Sequence, residues 1–340
     1  MTPFWIDPSP FLRDDLEKLL VTVLKVAVTG GAGYIGSLLV KRLMDQGYGV
    51  VSVDNLMRGD YSYLRRVGAH EGAELVEGDI RDSKLLESLF KNIDAIVHLA
   101  ALSDLVPCRE RPEEAISINI FGTHQVLETA RKLDIGKIVF GSSAAVYGKP
   151  QQLPINEFHP LHPLNLYGVT KLAGEKLMDA YHDVYGIETI NLRLGNAFGI
   201  GLYTNYDAVI PKFIRLGLEG KPLTIYGDGD SSRDYVHVEN IVQAVVLSLN
   251  AKGLGGEVFN VGGETIKTKA LVTLISDLLK KIKGINTSVI HLPPRSGETK
   301  YFSYDLDKIK KGLGYKAIWG IEEGIEQIIK YKLEEMKFED

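Results

Sequence analysis

A serine, a tyrosine and a lysine are the side chains in this sequence whose types and spacing are best suited to chemistry. Tyr167 and Lys171 lie four residues apart at the start of a predicted helix, so both occupy one face of it. Ser142 and Ser143 end the predicted strand that precedes this helix. If that strand belongs to a parallel sheet, a hydroxyl, a phenol and an ammonium group can converge at the edge where such sheets bind ligands.

A glycine-rich turn predicts a dinucleotide site. In TGGAGYIGS at 29–37, Gly30, Gly33 and Gly36 fit G-x-x-G-x-x-G, and GAGYIG fits G-x-G-x-x-G. The motif closes a predicted strand and opens a predicted helix, the context that a dinucleotide fingerprint requires. Glycine permits the tight turn and lets the backbone and the helix N-terminus approach a pyrophosphate.

The end of the second predicted strand favours NAD as the dinucleotide. Asp54 lies there, followed by Asn55. A carboxylate at this position accepts hydrogen bonds from the adenosine ribose and repels a 2′-phosphate. Arg58 could pair with such a phosphate, so NADP remains an alternative.

The elements that must position these residues alternate along the chain. Short apolar segments alternate with amphipathic ones, which is typical of βαβ units and a parallel sheet. The predicted strands are 25–29, 49–54, 74–78, 94–100, 137–142 and 189–194, and the predicted helices are 34–47, 82–90, 112–132 and 167–185. We therefore predict an α/β fold with a doubly wound parallel sheet (a Rossmann fold) and a smaller, mixed α/β substrate-binding domain.

The predicted domains are discontinuous in sequence. Residues 1–24 form an N-terminal extension of unassigned role. Residues 25–193 and about 233–262 form the cofactor domain, because 233–249 reads again as strand and helix. Residues 194–232 and 263–340 form the substrate domain.

Composition excludes several classes of protein. The 340 residues carry 39 basic and 44 acidic side chains, a net charge of −5, which argues against a nucleic-acid partner. The longest apolar stretch, 19–28, is interrupted by Lys25 and is too short to span a membrane. A single cysteine, Cys108, excludes an intramolecular disulfide and favours the cytoplasm. His159 and His162, separated by Pro160, are not expected to form a metal site.

Several motifs in a fixed order support a family resemblance. They are TGGAGYIG at 29–36, DN at 54–55, DI at 79–80, HLAA at 98–101, SSAAVYG at 142–148, YGVTK at 167–171, RLGNAFG at 193–199, RDYVHV at 233–238 and FNVGG at 259–263. From Lys25 to about Lys332 the chain resembles the extended short-chain dehydrogenase/reductase family. Within that family it is most similar to the nucleotide-sugar epimerases and dehydratases.

The resemblance implies a set of cofactor contacts. Tyr34 and Ile35 would touch the pyrophosphate through their backbone, and Asp79 and Ile80 would contact the adenine, while Asn119 would lie behind the cofactor. The full implied NAD set is Gly30, Gly33, Tyr34, Ile35, Gly36, Asp54, Asn55, Arg58, Asp79, Ile80, Leu99, Ala100, Ala101, Asn119, Ser142, Tyr167 and Lys171.

The resemblance also implies catalytic roles. Tyr167 would be the acid/base, Lys171 would hold the nicotinamide ribose, and Ser143 would bind the reacting sugar hydroxyl. A tyrosine needs a pKa shift of about 3 units, or about 4 kcal/mol, to act as a base near neutral pH. One positive charge at about 4 Å supplies about 4 kcal/mol at an effective dielectric constant of about 20. The charge of Lys171 could therefore supply nearly all of the shift that Tyr167 needs.

The implied substrate is a nucleotide-diphosphate sugar, most plausibly a UDP-hexose. Asn196, Arg233 and Arg295 match the family's substrate positions, since arginine suits the geometry of a diphosphate. The positions after Ser143 are Ala144 and Ala145, where the family's dehydratases usually carry Asp-Glu. Elimination of water is therefore not expected.

The implied function is NAD-dependent 4-epimerisation of the UDP-glucose/UDP-galactose type, through a 4-keto intermediate, by a homodimer. The first alternative is an NAD(P)H-dependent reductase of nucleotide 4-keto-sugars, or a related dehydrogenase. The second is a non-catalytic NAD(H)-binding sensor, against which the intact Ser143, Tyr167 and Lys171 argue.

Overall fold

The structure, a computed structural model, describes residues 25–103, 105–201, 208–294 and 300–336. The predicted extension at 1–24 lies outside the described residues. Within these ranges the strands are β1 (Lys25–Thr29), β2 (Gly49–Asp54), β3 (Ala73–Glu77), β4 (Ala95–His98), β5 (Lys137–Ser143), β6 (Glu188–Leu194), β7 (Asn196–Phe198), β8 (Leu223–Tyr226), β9 (Ser232–His237), β10 (Glu257–Val261), β11 (Glu264–Lys267) and β12 (Val289–Leu292).

Helices cover the sheets. They are α1 (Tyr34–Asp45), α2 (Ser62–Arg66), α3 (Ser83–Leu89), α4 (Leu105–Glu110), α5 (Pro112–Ile116), α6 (Thr123–Lys132), α7 (Leu166–Tyr185), α8 (Val209–Leu218), α9 (Val238–Asn250), α10 (Thr268–Lys283), α11 (Asp307–Leu313) and α12 (Ile321–Met336). Among the helices described, none combines the length and apolar character that crossing a bilayer requires.

A seven-stranded sheet forms the larger half of the molecule. Its order is β10-β6-β5-β4-β1-β2-β3, and every neighbouring pair is parallel. Val26 and Val28 pack into the apolar core on one face and Ala27 into the core on the other, because successive side chains of a strand point to opposite faces. The predicted doubly wound parallel sheet is confirmed, with β10 as its seventh strand.

The strand order places a crevice beside β1. β2 and β3 follow on one side of β1, whereas β4, β5 and β6 follow on the other. The connections after β1 and β4 therefore diverge, and in such sheets ligands bind where they separate.

A smaller set of elements covers the crevice. β11, β9 and β7 form a three-stranded sheet, and β12 pairs with β8. They share an apolar core with α8, α10 and α12, to which Ile214, Leu271 and Ile325 contribute. β9 belongs to this small sheet, whereas β10 after it returns to the edge of the large one.

The two ends of helix α7, which borders the crevice, are set by local interactions. The side chain of Asn165 caps α7 by accepting a hydrogen bond from the Gly168 N–H at 2.9 Å, and Gly186 ends the helix at φ 73°.

The sequence predicts one long helix over 112–132, but residues 117–122 form a π-helical segment between α5 and α6. Such segments often mark functional sites, and this one contains the buried Asn119.

Candidate active site

A cleft of about 540 Å³ lies at the carboxyl ends of the large sheet, under the smaller half of the molecule. It brings together most of the site residues predicted from the sequence. Those that line it are Gly30, Gly33, Tyr34, Ile35, Gly36, Asp54, Asn55, Arg58, Ile80, Leu99, Ala100, Ala101, Ser142, Ser143, Tyr167, Lys171, Asn196 and Arg233.

The glycine-rich turn leaves its backbone open to the cleft. Gly30 has φ +76°, and a Cβ there would lie 2.7 Å from the backbone nitrogen of Ala100. A Cβ on Gly36 would press on the carbonyl of Gly30. Helix α1 then starts with Gly33 as its N-cap, which has no side chain that could bond to the N–H groups of the first turn. The N–H groups of a first helical turn have no acceptor within the helix, which suits them to a pyrophosphate.

Asp54 is fixed at one end of the cleft. Its Oδ2 accepts a hydrogen bond from the Ala32 N–H at 3.1 Å, and its Oδ1 accepts one from the Leu56 N–H at 2.9 Å. Burial raises the pKa of the Asp54 carboxyl, and these two hydrogen bonds oppose that shift. An acidic acceptor held at the end of β2 fits the ribose hydroxyls of NAD and disfavours a 2′-phosphate. The glycine cradle and this carboxylate together fit NAD.

Two predicted cofactor residues, Asp79 and Asn119, lie off the cleft wall. The Asp79 carboxylate pairs with the Arg81 guanidinium at 2.5 Å, which lowers the Asp79 pKa. Asn119 is buried, and its Oδ1 accepts from the Leu102 N–H at 2.7 Å while its Nδ2 donates to Thr170 Oγ1 at 3.0 Å. Asn119 thus ties the loop after β4 to α7. Arg295, a predicted substrate residue, lies outside the described residues.

Lys171 is anchored beneath the cleft. Its Nζ donates a hydrogen bond to the carbonyl of Gly141 at 2.7 Å, and its ammonium lies 4.7 Å from the centroid of the Phe140 ring. The side chain is buried, and burial lowers the Lys171 pKa to about 8. Tyr167 lies one turn earlier on α7 and is half-buried at the cleft wall. The predicted phenol–ammonium pair therefore shares one helix face beside the end of β5.

Ser143 and Ser142 point to different partners at the end of β5. The Oγ of Ser143 accepts a hydrogen bond from the Ala145 N–H at 3.2 Å, and Ser143 lines the cleft. The Oγ of Ser142 instead donates to the Glu175 carboxylate at 2.5 Å. Ser142 thus links the cleft wall to a buried group on α7.

That group is a buried ion pair that sequence reasoning missed. Arg193 on β6 donates to the Glu175 carboxylate from Nε at 2.9 Å and from Nη2 at 2.7 Å. Its Nη1 donates to the Tyr147 hydroxyl at 2.9 Å. Glu175 follows Lys171 by one helical turn, so the face that carries Tyr167 and Lys171 also carries this carboxylate. Helical spacing could have indicated Glu175, but nothing in the sequence pairs it with Arg193.

A second missed contact spans the cofactor end of the cleft. Arg58, which follows β2, donates from Nη1 to the Ser103 Oγ at 2.9 Å, and Ser103 follows β4. β2 and β4 flank β1 in the sheet, so the contact joins the loops that follow the two neighbours of β1. No sequence signal connects Arg58 to Ser103.

The opposite wall comes from the smaller half. The side-chain amide of Asn196 donates to the Asp234 carbonyl at 2.9 Å, and the Arg233 guanidinium donates to the Ser232 carbonyl at 2.8 Å. Phe198 and Tyr235 also line this wall. The cleft therefore has a cofactor side built on the large sheet and a second side with a cation and two aromatic rings.

Comparisons with known proteins identify one family. The family model described as "NAD dependent epimerase/dehydratase family" matches residues 26–262. A putative UDP-glucose 4-epimerase from Methanocaldococcus jannaschii is 37% identical over 309 residues, which cover 90% of this chain and 97% of that protein.

Solved structures of nucleotide-sugar epimerases have the same fold as this chain. UDP-glucose 4-epimerase from Thermotoga maritima, crystallised with UDP-glucose, has a TM-score of 0.83 and 30% identity, and covers 92% of this chain and 99% of its own. UDP-glucuronic acid 4-epimerase from Bacillus cereus, in complex with UDP-glucuronic acid and NAD, has a TM-score of 0.82 and 29% identity, and covers 91% and 99%.

The resemblance predicted from the sequence motifs is confirmed by these comparisons. The protein is an enzyme and its cofactor is NAD. This chain, with its glycine cradle, its Asp54 carboxylate and its Tyr167–Lys171 pair on one cleft, belongs to the NAD-dependent epimerase/dehydratase family.

Proposed function

We propose that the protein is a 4-epimerase that interconverts UDP-glucose and UDP-galactose. The observation that carries the proposal is that Ser143, Tyr167 and Lys171 line the same cleft as the dinucleotide cradle. The names of its relatives, UDP-glucose 4-epimerases among them, support the same activity.

Proton transfer falls to Tyr167. The charge of Lys171 favours the phenolate, which can remove the proton from a sugar hydroxyl held by Ser143. When bound, NAD would accept the hydrogen, together with its electron pair, from the carbon that carries this hydroxyl. The sugar thereby becomes a 4-keto-sugar, which would rotate in the cleft to present its other face. The hydrogen would return to that face, while Tyr167 returns the proton.

The residues beside Ser143 support epimerisation over dehydration. Elimination of water needs acid and base groups that act on a second proton. The 3₁₀ turn after Ser143 presents Ala144 and Ala145, which carry no titratable group. Oxidation and reduction at a single carbon is the chemistry that this set of side chains supports.

The second wall is suited to the nucleoside diphosphate. Arg233 places a guanidinium on the cleft, and guanidinium groups bind phosphate oxygens in pairs. Asn196 lies beside it and offers an amide to the sugar or the phosphate. We assign both residues, together with Arg295, to substrate binding.

We also propose that the chain forms a homodimer through α7 and the helical segment 112–132 that precedes β5. Phe121, Val169, Val184 and Tyr185 are large apolar side chains that stay exposed on these segments. Two helices from each copy could cover them in a two-fold bundle.

A direct test incubates the purified protein with a panel of UDP- and dTDP-hexoses, with and without added NAD, and follows the products by NMR. We expect UDP-galactose to form from UDP-glucose without accumulation of NADH. The Tyr167→Phe variant should bind NADH normally and lose at least about 100-fold in turnover.

Other results would favour the alternatives. Stoichiometric consumption of NAD(P)H with a 4-keto-sugar would indicate a reductase. If neither the parent nor the Tyr167→Phe variant converted any sugar of the panel while both bound NADH, the result would favour a sensor role over 4-epimerisation.

A further inference from the structure

The side chain of Tyr34 reaches from the glycine-rich turn to the loop that follows Phe198 of the opposite wall. Tyr34 is the first residue of α1, directly after the glycine-rich turn, and its hydroxyl donates a hydrogen bond to the Gly199 carbonyl at 2.9 Å. Gly199 follows β7 of the three-stranded sheet, so this bond joins the cofactor wall to the opposite wall. Family resemblance gives Tyr34 a backbone role only, and its side chain has no assigned task.

The contact is built on both sides. Gly199 is buried at φ +127°, and a Cβ there would lie 2.8 Å from the Nε2 of His237, so the loop fits only glycine at this position. Gly201 packs closely against the Tyr34 ring, because a Cβ on Gly201 would approach two of the ring carbons more closely than carbon atoms can. The ring is therefore seated on one glycine while its hydroxyl is bonded to another.

The position of this contact matters for the cofactor. The turn that precedes Tyr34 is the part of the chain that fits the pyrophosphate of NAD, and Tyr34 itself lines the cleft. A ligand held between two walls leaves when they part. A bond that joins the walls beside the pyrophosphate site makes that parting rarer.

We propose that Tyr34 is a positioning residue that straps the two walls of the cleft together and slows the release of the dinucleotide. This proposal rests on the proposed function, in which the same NAD must remain bound while the sugar turns over. It assigns to the Tyr34 hydroxyl the retention of the cofactor, not the chemistry.

The test measures release of NADH, a fluorescent probe of the same site, after a chase with excess NAD. Tyr34→Phe removes only the hydroxyl, and we expect release to become about 2- to 10-fold faster, the factor that one typical net hydrogen bond provides. The matched control is Tyr48→Phe. The Tyr48 hydroxyl, just beyond the other end of α1, donates to Asn250 at the same distance of 2.9 Å but lies off the cleft, so its loss should leave the release rate at the parent value.

A second variant leaves Tyr34 in place. Gly201→Ala should push the ring away from its seat and speed release at least as much as Tyr34→Phe. Equal release rates for the parent, Tyr34→Phe and Gly201→Ala would overturn the proposal, and so would a parent protein that retains no dinucleotide after gel filtration.

The outcome is separable from that of the proposed function, because no sugar is present in the release assay. A protein that epimerises no UDP-hexose, yet loses NADH faster after Tyr34→Phe, would refute the proposed epimerase activity and support the role of Tyr34 in retaining the dinucleotide. An active epimerase whose rate of NADH release is unchanged by Tyr34→Phe would support the proposed activity and refute the role of Tyr34.

Discussion

Lys171 lies where its charge is both needed and costly. The ammonium must stay protonated to favour the Tyr167 phenolate, yet burial lowers its pKa to about 8. At pH 7 the protonated form still outnumbers the neutral form by about ten to one. The sequence-based estimate that one positive charge nearly suffices therefore applies near neutral pH and fails at higher pH.

This pKa predicts a basic limb in the pH profile of catalysis. Above about pH 8, Lys171 loses its proton and with it the charge that favours the Tyr167 phenolate, so kcat/KM should fall as the pH rises, by up to about tenfold for each pH unit. The charged and titratable neighbours that act on Lys171 are Glu175 on its own helix, Cys108 on α4 and His98 on β4. His98 stays neutral at these pH values, because burial lowers its pKa to about 3.

The control for this limb is Lys171→Arg, since a guanidinium does not titrate in this range. Activity that remains in this variant should lose the decline above pH 8. A parent profile that stays flat to pH 10, or a decline that persists unchanged in Lys171→Arg, would contradict the assignment.

Helix α7 is the element that combines chemistry and stability. Tyr167, Lys171 and Glu175 follow one another at intervals of one turn, and Glu175 fixes the helix to β5 through Ser142 and to β6 through Arg193. The Glu175 and Arg193 side chains are only 1% and 4% exposed. Removing one partner of such a pair leaves the other charge buried without compensation.

We therefore expect Glu175→Gln to lower the free energy of unfolding by about 3 kcal/mol or more, measured by urea denaturation. The comparison is Asp45→Asn, which breaks the exposed Lys41–Asp45 pair of α1 and should cost about 0.5 kcal/mol or less. Similar losses for the two variants would show that the buried pair does not fix α7.

The sequence predicted the elements of the large sheet better than the contacts between them. Strands β1 and β2 begin and end with their apolar segments, because a strand that is buried on both faces has an unbroken run of apolar residues. The glycine-rich turn and the Tyr167–Lys171 face also follow from local rules.

What escaped prediction depends on contacts between distant segments. The Glu175–Arg193 pair needs α7 packed on β6, and the Tyr34–Gly199 bond joins residues 165 positions apart. The π-helical turn at 117–122 has no period of its own in the sequence, and β12 is exposed throughout, so it lacks the apolar alternation that marks a strand.

At the scale of the whole molecule, the proposed dimer predicts how two exposed phenylalanines will differ. Phe121, 48% exposed beside α6, belongs to the proposed interface, whereas Phe158, 87% exposed, lies next to Lys308 of α11. We expect Phe121→Asp to sediment as a monomer in analytical ultracentrifugation, because a charge would be buried between the copies. Phe158→Asp should keep the mass of the parent.

A parent that sediments as a monomer at micromolar concentration would refute the dimer. A dimer that survives Phe121→Asp would place the interface on another surface. Neither result depends on the chemistry of the cleft.

The central claim is that one hydrogen leaves the sugar carbon and returns to the same carbon on its other face, with Tyr167 moving the proton. The most direct measurement supplies UDP-glucose deuterated at C4 to the parent enzyme in ordinary water and locates the label in the product by NMR and mass spectrometry. We predict UDP-galactose that keeps the deuterium at C4, and no label in free NADH. Product that has lost its deuterium to water, or label that accumulates in released NADH, would contradict the account.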